Sequence, residues 1–256
     1  MNEENFQSDQ AKAARQILNA YEGELDIQIV PRNRARQMLE THPTACSPWV
    51  LKNAAREQLY NFSLPYMLES SLKLLVANES PWGKKLLQRE QDTDTLLSLQ
   101  QLLTSNTPPV LGIETGRSYG DSADKVIKPL IGSKVIYQRT SSTDNLAPLM
   151  PMLHHGYIDL MIEYDKIRED KKHLFSYLAF KETEPFQLVY FACSKSLQIG
   201  PLLNKLNDAI KKLSAERRYQ TLILEHLPTE ERDAAFRYWQ QHLLPAPSTS
   251  TVLKQD

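Results

Sequence analysis

Short apolar stretches typical of strands alternate with helix-like stretches along most of this 256-residue sequence. SLKLLVA, KVIYQR and YIDLMIEY have the length and composition of strands, whereas LLNKLNDAIKKL places apolar residues three or four positions apart, as an amphipathic helix does. LDIQIV, which follows a predicted first helix, is expected to be a strand as well. This alternation predicts an α/β fold with mostly parallel sheets flanked by helices.

Two features predict two lobes rather than one sheet. ESPWGKKLLQREQDTD is polar and weakly patterned, and it separates two blocks of alternating elements. The long apolar strand EPFQLVYFACS is followed only by predicted helices, as if the chain returned to complete the first lobe. We therefore expect a first lobe over residues 1–82, a second over 83–186, a return to the first over 187–244, and a disordered tail rich in Pro, Ser and Thr at 245–256.

The charge balance points away from polyanionic partners. The chain has 30 Lys and Arg residues against 31 Asp and Glu residues, which gives no electrostatic argument for nucleic acid or an anionic membrane surface. No stretch approaches the roughly 20 consecutive apolar residues of a membrane span, so direct membrane insertion is not predicted. The partner is expected to be a small molecule or a protein.

The two cysteines, Cys46 and Cys193, are too few for a disulfide framework and lack the spacing of metal ligands. A disulfide between them is compatible with an oxidising compartment. Two buried thiols are nevertheless the expected state, because free cysteine is among the most buried residue types.

The segment KNAAREQLYNFSLPYM, residues 52–67, is the most specific motif in the sequence. Together with the order of elements, it resembles the type II periplasmic solute-binding proteins of family 3, which include amino-acid receptors. The resemblance covers nearly the whole chain and implies a two-lobed fold with a ligand cleft between the lobes. The family's signal peptide and first strand have no counterpart at the start of this sequence, and loss of that strand is expected to leave backbone groups of its neighbours unpaired.

In the first lobe the resemblance nominates Arg56, at the position of the family arginine that binds the ligand's carboxylate. A guanidinium suits this role because it makes two parallel, charge-assisted hydrogen bonds; an exposed charge pair with Glu57 is the alternative. Arg34 matches a position near the cleft rim, but a helix-surface arginine is equally expected there. Trp49 is a candidate for stacking on a ligand, although such an aromatic is more often part of a core. Asn53 and the two alanines after it replace a hydroxyl-bearing turn, so the motif does not identify the ligand.

In the second lobe TGRSYGDSADKVI resembles the family's turn at a helix N-terminus, where free backbone N–H groups receive an anionic group. The residues that this resemblance nominates for ligand contact are Arg117, Ser118, Tyr119 and Gly120. An ordinary turn without a ligand is the alternative, because glycine-containing turns are common.

LMPMLHHGYIDLMIEYD resembles the family's buried strand that ends in an acidic residue, which often meets the ligand's amino group. The matching position is Glu163, with Tyr164 and Asp165 as neighbours. Asp159, near the start of this strand, is expected to support the turn rather than to touch the ligand.

The resemblance implies a monomeric periplasmic receptor, without enzymatic activity, that serves an ABC-type permease or a membrane sensor. No metal or cofactor is expected, since no phosphate loop, Ser-His-Asp order or paired-cysteine motif occurs. One alternative is a dehydratase-like enzyme on the same fold, with Glu163 and His154 or His155 in acid–base roles. Adjacent histidines on a helix point about 100° apart, which favours a helix-end role over a shared metal. The effector domain of a transcription regulator is a further alternative, but the sequence has no basic helix-turn-helix at its start.

Overall fold

The structure, a computed structural model, describes residues 9–93, 95–140, 149–165 and 173–243. The predicted tail at 245–256 lies outside these residues. The helices are α1 (Asp9–Ala20), α2 (Arg32–Thr41), α3 (Ala54–Leu59), α4 (Pro81–Asp92), α5 (Leu99–Leu103), α6 (Asp121–Ile127), α7 (Leu149–His154), α8 (Gly200–Ser214), α9 (Arg217–Leu224) and α10 (Arg232–Leu243). The strands are β1 (Cys46–Leu51), β2 (Asn61–Phe62), β3 (Met67–Ser70), β4 (Lys73–Ala77), β5 (Leu111–Glu114), β6 (Ile136–Arg139), β7 (Leu160–Glu163), β8 (Phe175–Leu178) and β9 (Phe186–Cys193).

The first sheet is built around β9. Strand β1 pairs with one edge of β9, and β2 and β3 pair with the other, all antiparallel. This sheet forms the first lobe, together with α1, α8, α9 and α10, which contribute residues to its core. The prediction of a mostly parallel sheet is therefore wrong for this lobe. The reason is that β3 leads the chain out of the lobe and β9 brings it back beside β3, so the two strands run in opposite directions.

The second sheet has the order β6-β5-β7-β4-β8 and forms the second lobe. Strand β5 pairs in parallel with β6 and β7, as predicted. Strand β4 pairs antiparallel with both β7 and β8, so this sheet is mixed rather than mostly parallel. Because β4 starts at Lys73, the second sheet begins before the boundary expected at residue 82.

The polar segment ESPWGKKLLQREQDTD, expected to separate the two blocks of elements, contains helix α4 of the second lobe. Ser80 Oγ accepts a hydrogen bond from the N–H of Gly83 at 2.9 Å, and Pro81 occupies the first turn, both features that favour a helix start. A side chain at Gly83 would place its Cβ 1.9 Å from the carbonyl oxygen of Ala77, so only glycine lets the helix approach β4 this closely. Leu86 then anchors the helix in the second core. The apolar positions are sparse, which is why the sequence pattern did not reveal this helix.

LDIQIV, predicted as a strand, belongs to no sheet among the described residues. The side chains of Ile27 and Ile29 are 62% and 55% exposed. An apolar alternating segment becomes a strand only when another strand pairs with it, and the described residues supply none here.

Two short segments carry the chain between the lobes, residues 71–72 on the way out and 179–185 on the way back. They lie side by side, since Ser70 pairs with Phe186 at the edge of the first sheet and the hydroxyl of Ser71 lies 3.4 Å from that of Thr183. Two adjacent connections of this kind form a hinge about which two lobes can rotate.

Cys46 and Cys193 form a disulfide with an S–S distance of 2.04 Å, so the expectation of two buried thiols is wrong. The two residues lie opposite each other in β1 and β9, a pairing between residues 147 positions apart in the chain. Such a long-range register could not be read from the spacing of the cysteines.

None of the helices in the described part of the chain is long and apolar enough to cross a membrane.

Candidate ligand-binding cleft

Asn53, at the start of α3, connects the two lobes through its side-chain amide. Its Oδ1 accepts a hydrogen bond from the N–H of Arg56 at 2.8 Å and thereby caps α3. Its Nδ2 donates to Ser118 Oγ at 2.9 Å and to Asp124 Oδ2 at 3.3 Å, both in the second lobe. Asn53, Ser118 and Asp124 are only 5%, 5% and 6% exposed, so this contact between the lobes is buried and polar.

Arg56 also reaches the second lobe. Its Nη1 donates to the carbonyl oxygen of Leu51 at 2.7 Å, and its Nη2 lies 3.4 Å from the carbonyl oxygen of Gly116. Next to it, the N–H of Ala54 donates to Asp121 Oδ1 at 3.3 Å. The start of α3 therefore faces the turn at residues 116–120, and the sequence motif around Arg56 lies where the two lobes meet.

A second arginine, Arg36 on α2, contacts the same turn and was not among the predicted residues. Gly116 has a φ of +73°, and a Cβ built on it would lie 2.4 Å from Arg36 Nη1, so the guanidinium rests directly on this glycine. Arg34, the predicted rim residue, is exposed, whereas Arg36 is half-buried. Residues two apart on a helix do not share a face. Position 36 lies three residues before the buried Leu39 and therefore on the same, inward face of α2. This spacing could have singled out Arg36.

The carboxylate of Asp124 accepts hydrogen bonds from the turn at 116–120. Asp124 Oδ1 accepts from the N–H of Tyr119 at 2.8 Å, and Asp124 Oδ2 accepts from Ser118 Oγ at 2.7 Å. The N–H of Gly120 lies 3.3 Å from Ser118 Oγ. The expectation that this turn offers free backbone N–H groups to a ligand is therefore corrected for Tyr119 and Gly120, because Asp124 and Ser118 already accept from them.

Arg117 and Glu163 form a bidentate ion pair inside the second lobe. Arg117 Nη1 lies 2.7 Å from Glu163 Oε2, and Nη2 lies 3.0 Å from Oε1. Both side chains are 13% exposed. Burial lowers the pKa of Arg117, but the Glu163 charge and hydrogen bonds outweigh it, so the pKa lies above its ordinary value. The sequence predicted both residues as ligand contacts; the structure brings them together as partners of each other.

Two tyrosine rings flank this pair. The Arg117 guanidinium carbon lies 5.1 Å from the ring centroid of Tyr119 and 6.0 Å from that of Tyr164, within the range of cation–π contacts. Tyr119 is buried in the second core, and burial raises the pKa of its hydroxyl to about 12. Its hydroxyl accepts a hydrogen bond from the N–H of Glu114 at 3.1 Å. Tyr119, which the sequence predicted as a ligand contact, therefore has a structural role.

Gln187, on β9, faces the second lobe, and the apolar sequence of its strand gave no sign of this. It is 5% exposed, and its Nε2 is buried without a hydrogen-bond partner among the described residues. Its Oε1 lies 4.0 Å from the position of a Cβ on Gly120, which places the side chain against the turn of the second lobe. A buried donor without an acceptor costs free energy, on the order of 1–3 kcal/mol, unless something supplies that acceptor.

Solved structures share this fold. An amino acid ABC transporter substrate-binding protein from Streptococcus pneumoniae, bound to L-arginine, is 16% identical with a TM-score of 0.58, over 85% of this chain and 82% of that one. A histidine kinase sensor domain with similarity to periplasmic binding proteins is 12% identical with a TM-score of 0.62, over 86% of each chain. The ancestral amino acid-binding protein AncCDT-1, a precursor of cyclohexadienyl dehydratase, is 17% identical with a TM-score of 0.56, over 84% and 82%.

This chain has the periplasmic-binding-protein fold. The predicted two-lobed α/β architecture is thereby confirmed. No protein-family model and no curated protein sequence matches the chain, so the likeness rests on structure. The two lobes of this chain meet where α3 faces the turn at 116–120.

The remaining predicted residues lie away from this contact or support the fold. The Trp49 side chain packs against the first core. The backbone N–H of Trp49 donates to the hydroxyl of Tyr66 at 3.1 Å. Asp159 accepts from the N–H of Val110 at 2.8 Å, which confirms its predicted structural role. His154 ends α7 and His155 follows it, both exposed, as expected of a helix end. Within the described ranges, no three His, Cys, Asp or Glu side chains are grouped as metal ligands would be.

Proposed function

We propose that this protein is a solute-binding receptor whose two lobes close around one small polar ligand. The observation that carries the proposal is the contact between the start of α3 and the turn at 116–120. Asn53 contacts Ser118, which is 65 positions further along the chain, and Arg56 contacts Gly116, which is 60 positions further. Both contacts join the first lobe to the second. The adjacent connections at 71–72 and 179–185 supply the hinge that closure requires.

The proposed partner is the membrane permease of an ABC-type transporter or a membrane sensor. Similarity in fold to a transporter's substrate-binding protein and to a kinase sensor domain supports both possibilities. In either case the partner recognises the closed conformation of the receptor, which differs from the open conformation by a rotation about the hinge. We propose that the receptor acts as a monomer.

The proposed location is outside the cytoplasm, in the periplasm. The disulfide between Cys46 and Cys193 supports this location, because disulfides persist in oxidising compartments and are rare in the cytosol.

We propose binding without turnover. The alternative, a dehydratase-like enzyme with Glu163 as acid or base, draws support from the similarity to a dehydratase precursor. Against it, both oxygens of Glu163 accept hydrogen bonds from Arg117, and Oε1 also accepts from the N–H of Tyr164 at 2.9 Å. A general acid or base needs an oxygen within reach of the substrate, and here those oxygens are occupied.

A thermal-shift screen against amino acids, polyamines and small carboxylates, followed by chemical analysis of any solute that stabilises the protein, tests this proposal. We expect at least one solute to raise the melting temperature and to be recovered unchanged. Arg218→Ala, which alters an exposed arginine on α9, serves as the control for unspecific charge effects. Conversion of the solute would favour the enzyme, and no shift with any class of solute would contradict the receptor.

A further inference from the structure

Arg117 lies where the two lobes meet, but its side chain binds within the second lobe. The residues on either side of it, Gly116 and Ser118, accept hydrogen bonds from side chains at the start of α3. The Arg117 guanidinium instead donates to Glu163, the last residue of β7. Strands β5 and β7 are parallel neighbours, so the turn after β5 and the end of β7 lie at the same end of the second sheet. The ion pair is therefore placed at the side of the second lobe that meets the first.

The surroundings of the Arg117 guanidinium have the chemistry of a binding site for a planar cation. Glu163 Oε2 lies 2.7 Å from Nη1, and Oε1 lies 3.0 Å from Nη2. The guanidinium carbon lies 5.1 Å from the ring centroid of Tyr119 and 6.0 Å from that of Tyr164. A carboxylate that accepts two parallel hydrogen bonds, together with aromatic rings, recognises the shape of a guanidinium as well as its charge.

A second cation, Lys73, lies close to this site and has a partner of its own. Lys73 is the residue opposite Glu163 in the sheet, and its Nζ lies 3.6 Å from Asp165 Oδ2. In a protein without Arg117, this lysine is the side chain that would compete for Glu163. Lys73→Met removes that competitor and thereby serves as a control.

A guanidinium that belongs to the chain excludes one that belongs to a solute. The tethered group loses no translational freedom on entering the site, whereas a free cation does. Both side chains of the Arg117–Glu163 pair are only 13% exposed, so a second cation has little access to the carboxylate. A solute of the same chemistry therefore cannot displace Arg117 at an ordinary concentration.

We propose that Glu163, Tyr119 and Tyr164 form a binding site for a guanidinium cation, and that Arg117 fills it as a built-in ligand that keeps the cationic groups of solutes out of the second lobe. Arg117 is then a specificity-determining residue of the receptor. Its exclusion of cationic solutes rests on the proposed function. The occupation of the site by a guanidinium is independent of that function and can be tested separately.

Arg117→Ala tests the site itself. The substitution removes the atoms of an ethylguanidinium ion, so ethylguanidinium chloride is the matched probe. Propylammonium chloride, which has the same charge but no planar group, is the control. We expect ethylguanidinium to raise the melting temperature of Arg117→Ala and to bind once per chain in isothermal titration calorimetry, whereas the wild type and Arg117→Lys do not respond. If Arg117→Ala does not fold alone, we expect ethylguanidinium, and not propylammonium, to restore its circular dichroism spectrum.

Two double variants locate the bound cation. Arg117→Ala with Glu163→Gln should bind ethylguanidinium at least about tenfold more weakly than Arg117→Ala, because the neutral amide removes the charge and one acceptor. Arg117→Ala with Lys73→Met should bind it equally well or more tightly. A merely structural ion pair would lose stability in Arg117→Ala without any gain in affinity for a cation.

Binding of L-arginine tests the exclusion. The Arg117 side chain starts from the turn that contacts the first lobe, so the space that it vacates leads to the place where the lobes meet. A longer solute with its guanidinium in that space would extend between the lobes. We expect Arg117→Ala to bind L-arginine at least about tenfold more tightly than the wild type does, and Arg218→Ala to bind it as the wild type does.

Three results would overturn the inference. Failure of ethylguanidinium to bind or restore Arg117→Ala, or equal binding of propylammonium, would refute a guanidinium site. Ethylguanidinium binding that Glu163→Gln leaves unchanged would refute its location. Equal affinities of the wild type and Arg117→Ala for L-arginine would refute the exclusion. None of these results touches the receptor function, which a negative thermal-shift screen of the wild type would contradict even if ethylguanidinium binds Arg117→Ala and thus supports the site.

Discussion

The side-chain amide of Asn53 bridges the two lobes, with its Nδ2 2.9 Å from the hydroxyl oxygen of Ser118. The same side chain caps α3 through its Oδ1. Asn53 thus joins the arginine motif of the first lobe to the turn of the second. In the sequence it stood out only because it replaces a hydroxyl-bearing residue.

Replacement of Asn53 by Asp separates these two roles. Aspartate still caps α3, but it places an oxygen in place of the Nδ2 donor beside the Asp124 carboxylate, so the lobes should repel each other. We expect a larger radius of gyration in small-angle X-ray scattering than for the wild type. Asn53→Ala loses the cap and the bridge together and should cost about 2 kcal/mol of stability in urea unfolding. An unchanged scattering profile for Asn53→Asp would show that this bridge does not hold the cleft closed.

The Arg117–Glu163 pair should show strong coupling in a double-mutant cycle. Removal of either partner leaves a charge with 13% exposure unpaired, and we expect Arg117→Met and Glu163→Gln each to destabilise the protein by about 3 kcal/mol. The double variant should lose much less than the sum of the two. Additive losses in urea unfolding would show that the pair contributes no coupling energy.

Loss of the disulfide should destabilise the first lobe. The link between Cys46 and Cys193 joins residues 147 positions apart and encloses the second lobe within its loop. We expect the Cys46→Ser, Cys193→Ser double variant to lose about 2–5 kcal/mol, the usual cost of removing a native disulfide from a small domain. The wild type in reducing buffer is the matched comparison. Two free thiols in the native, air-oxidised wild type would contradict the disulfide itself.

Alkaline pH should destabilise the protein partly through Tyr119. Burial raises the pKa of its hydroxyl from 10.0 to about 12, so the folded state retains the proton more firmly than the unfolded chain does. The resulting stabilisation is complete below pH 10 and is lost as the pH rises through 12. In urea unfolding between pH 8 and 12, we expect Tyr119→Phe to lose less stability than the wild type. At pH 8 the variant should be about 1 kcal/mol less stable, since the N–H of Glu114 loses its acceptor. An identical pH dependence for both proteins would contradict this role.

The sequence predicted the fold better than the details of the cleft. Local apolar patterns were enough for β4, β6, β7 and β9, and the motif around Arg56 indicated the two-lobed architecture. The strand expected at LDIQIV and the pairing of Cys46 with Cys193 depend on partners distant in the chain, which local patterns do not reveal.

The cleft residues show the same limit. Arg36 differs from the predicted Arg34 only in the face of α2 that it occupies, and Gln187 lies within an otherwise apolar strand. The ion pair between Arg117 and Glu163 joins two residues that were each assigned to a ligand. The roles of these residues depend on contacts between segments that are distant in the chain. A sequence motif describes one segment at a time and therefore does not predict such contacts.

Isothermal titration calorimetry of wild type and Arg56→Ala tests the receptor most directly, with the solute that gives the largest thermal shift. Both proteins should first show the same cooperative unfolding, so that a difference in affinity reports on the cleft. We expect one bound solute per wild-type chain and at least about thirtyfold weaker binding by Arg56→Ala, since loss of one partner of a buried charged contact costs about 2–5 kcal/mol. Equal affinities of the two proteins would contradict a ligand held between the lobes by Arg56.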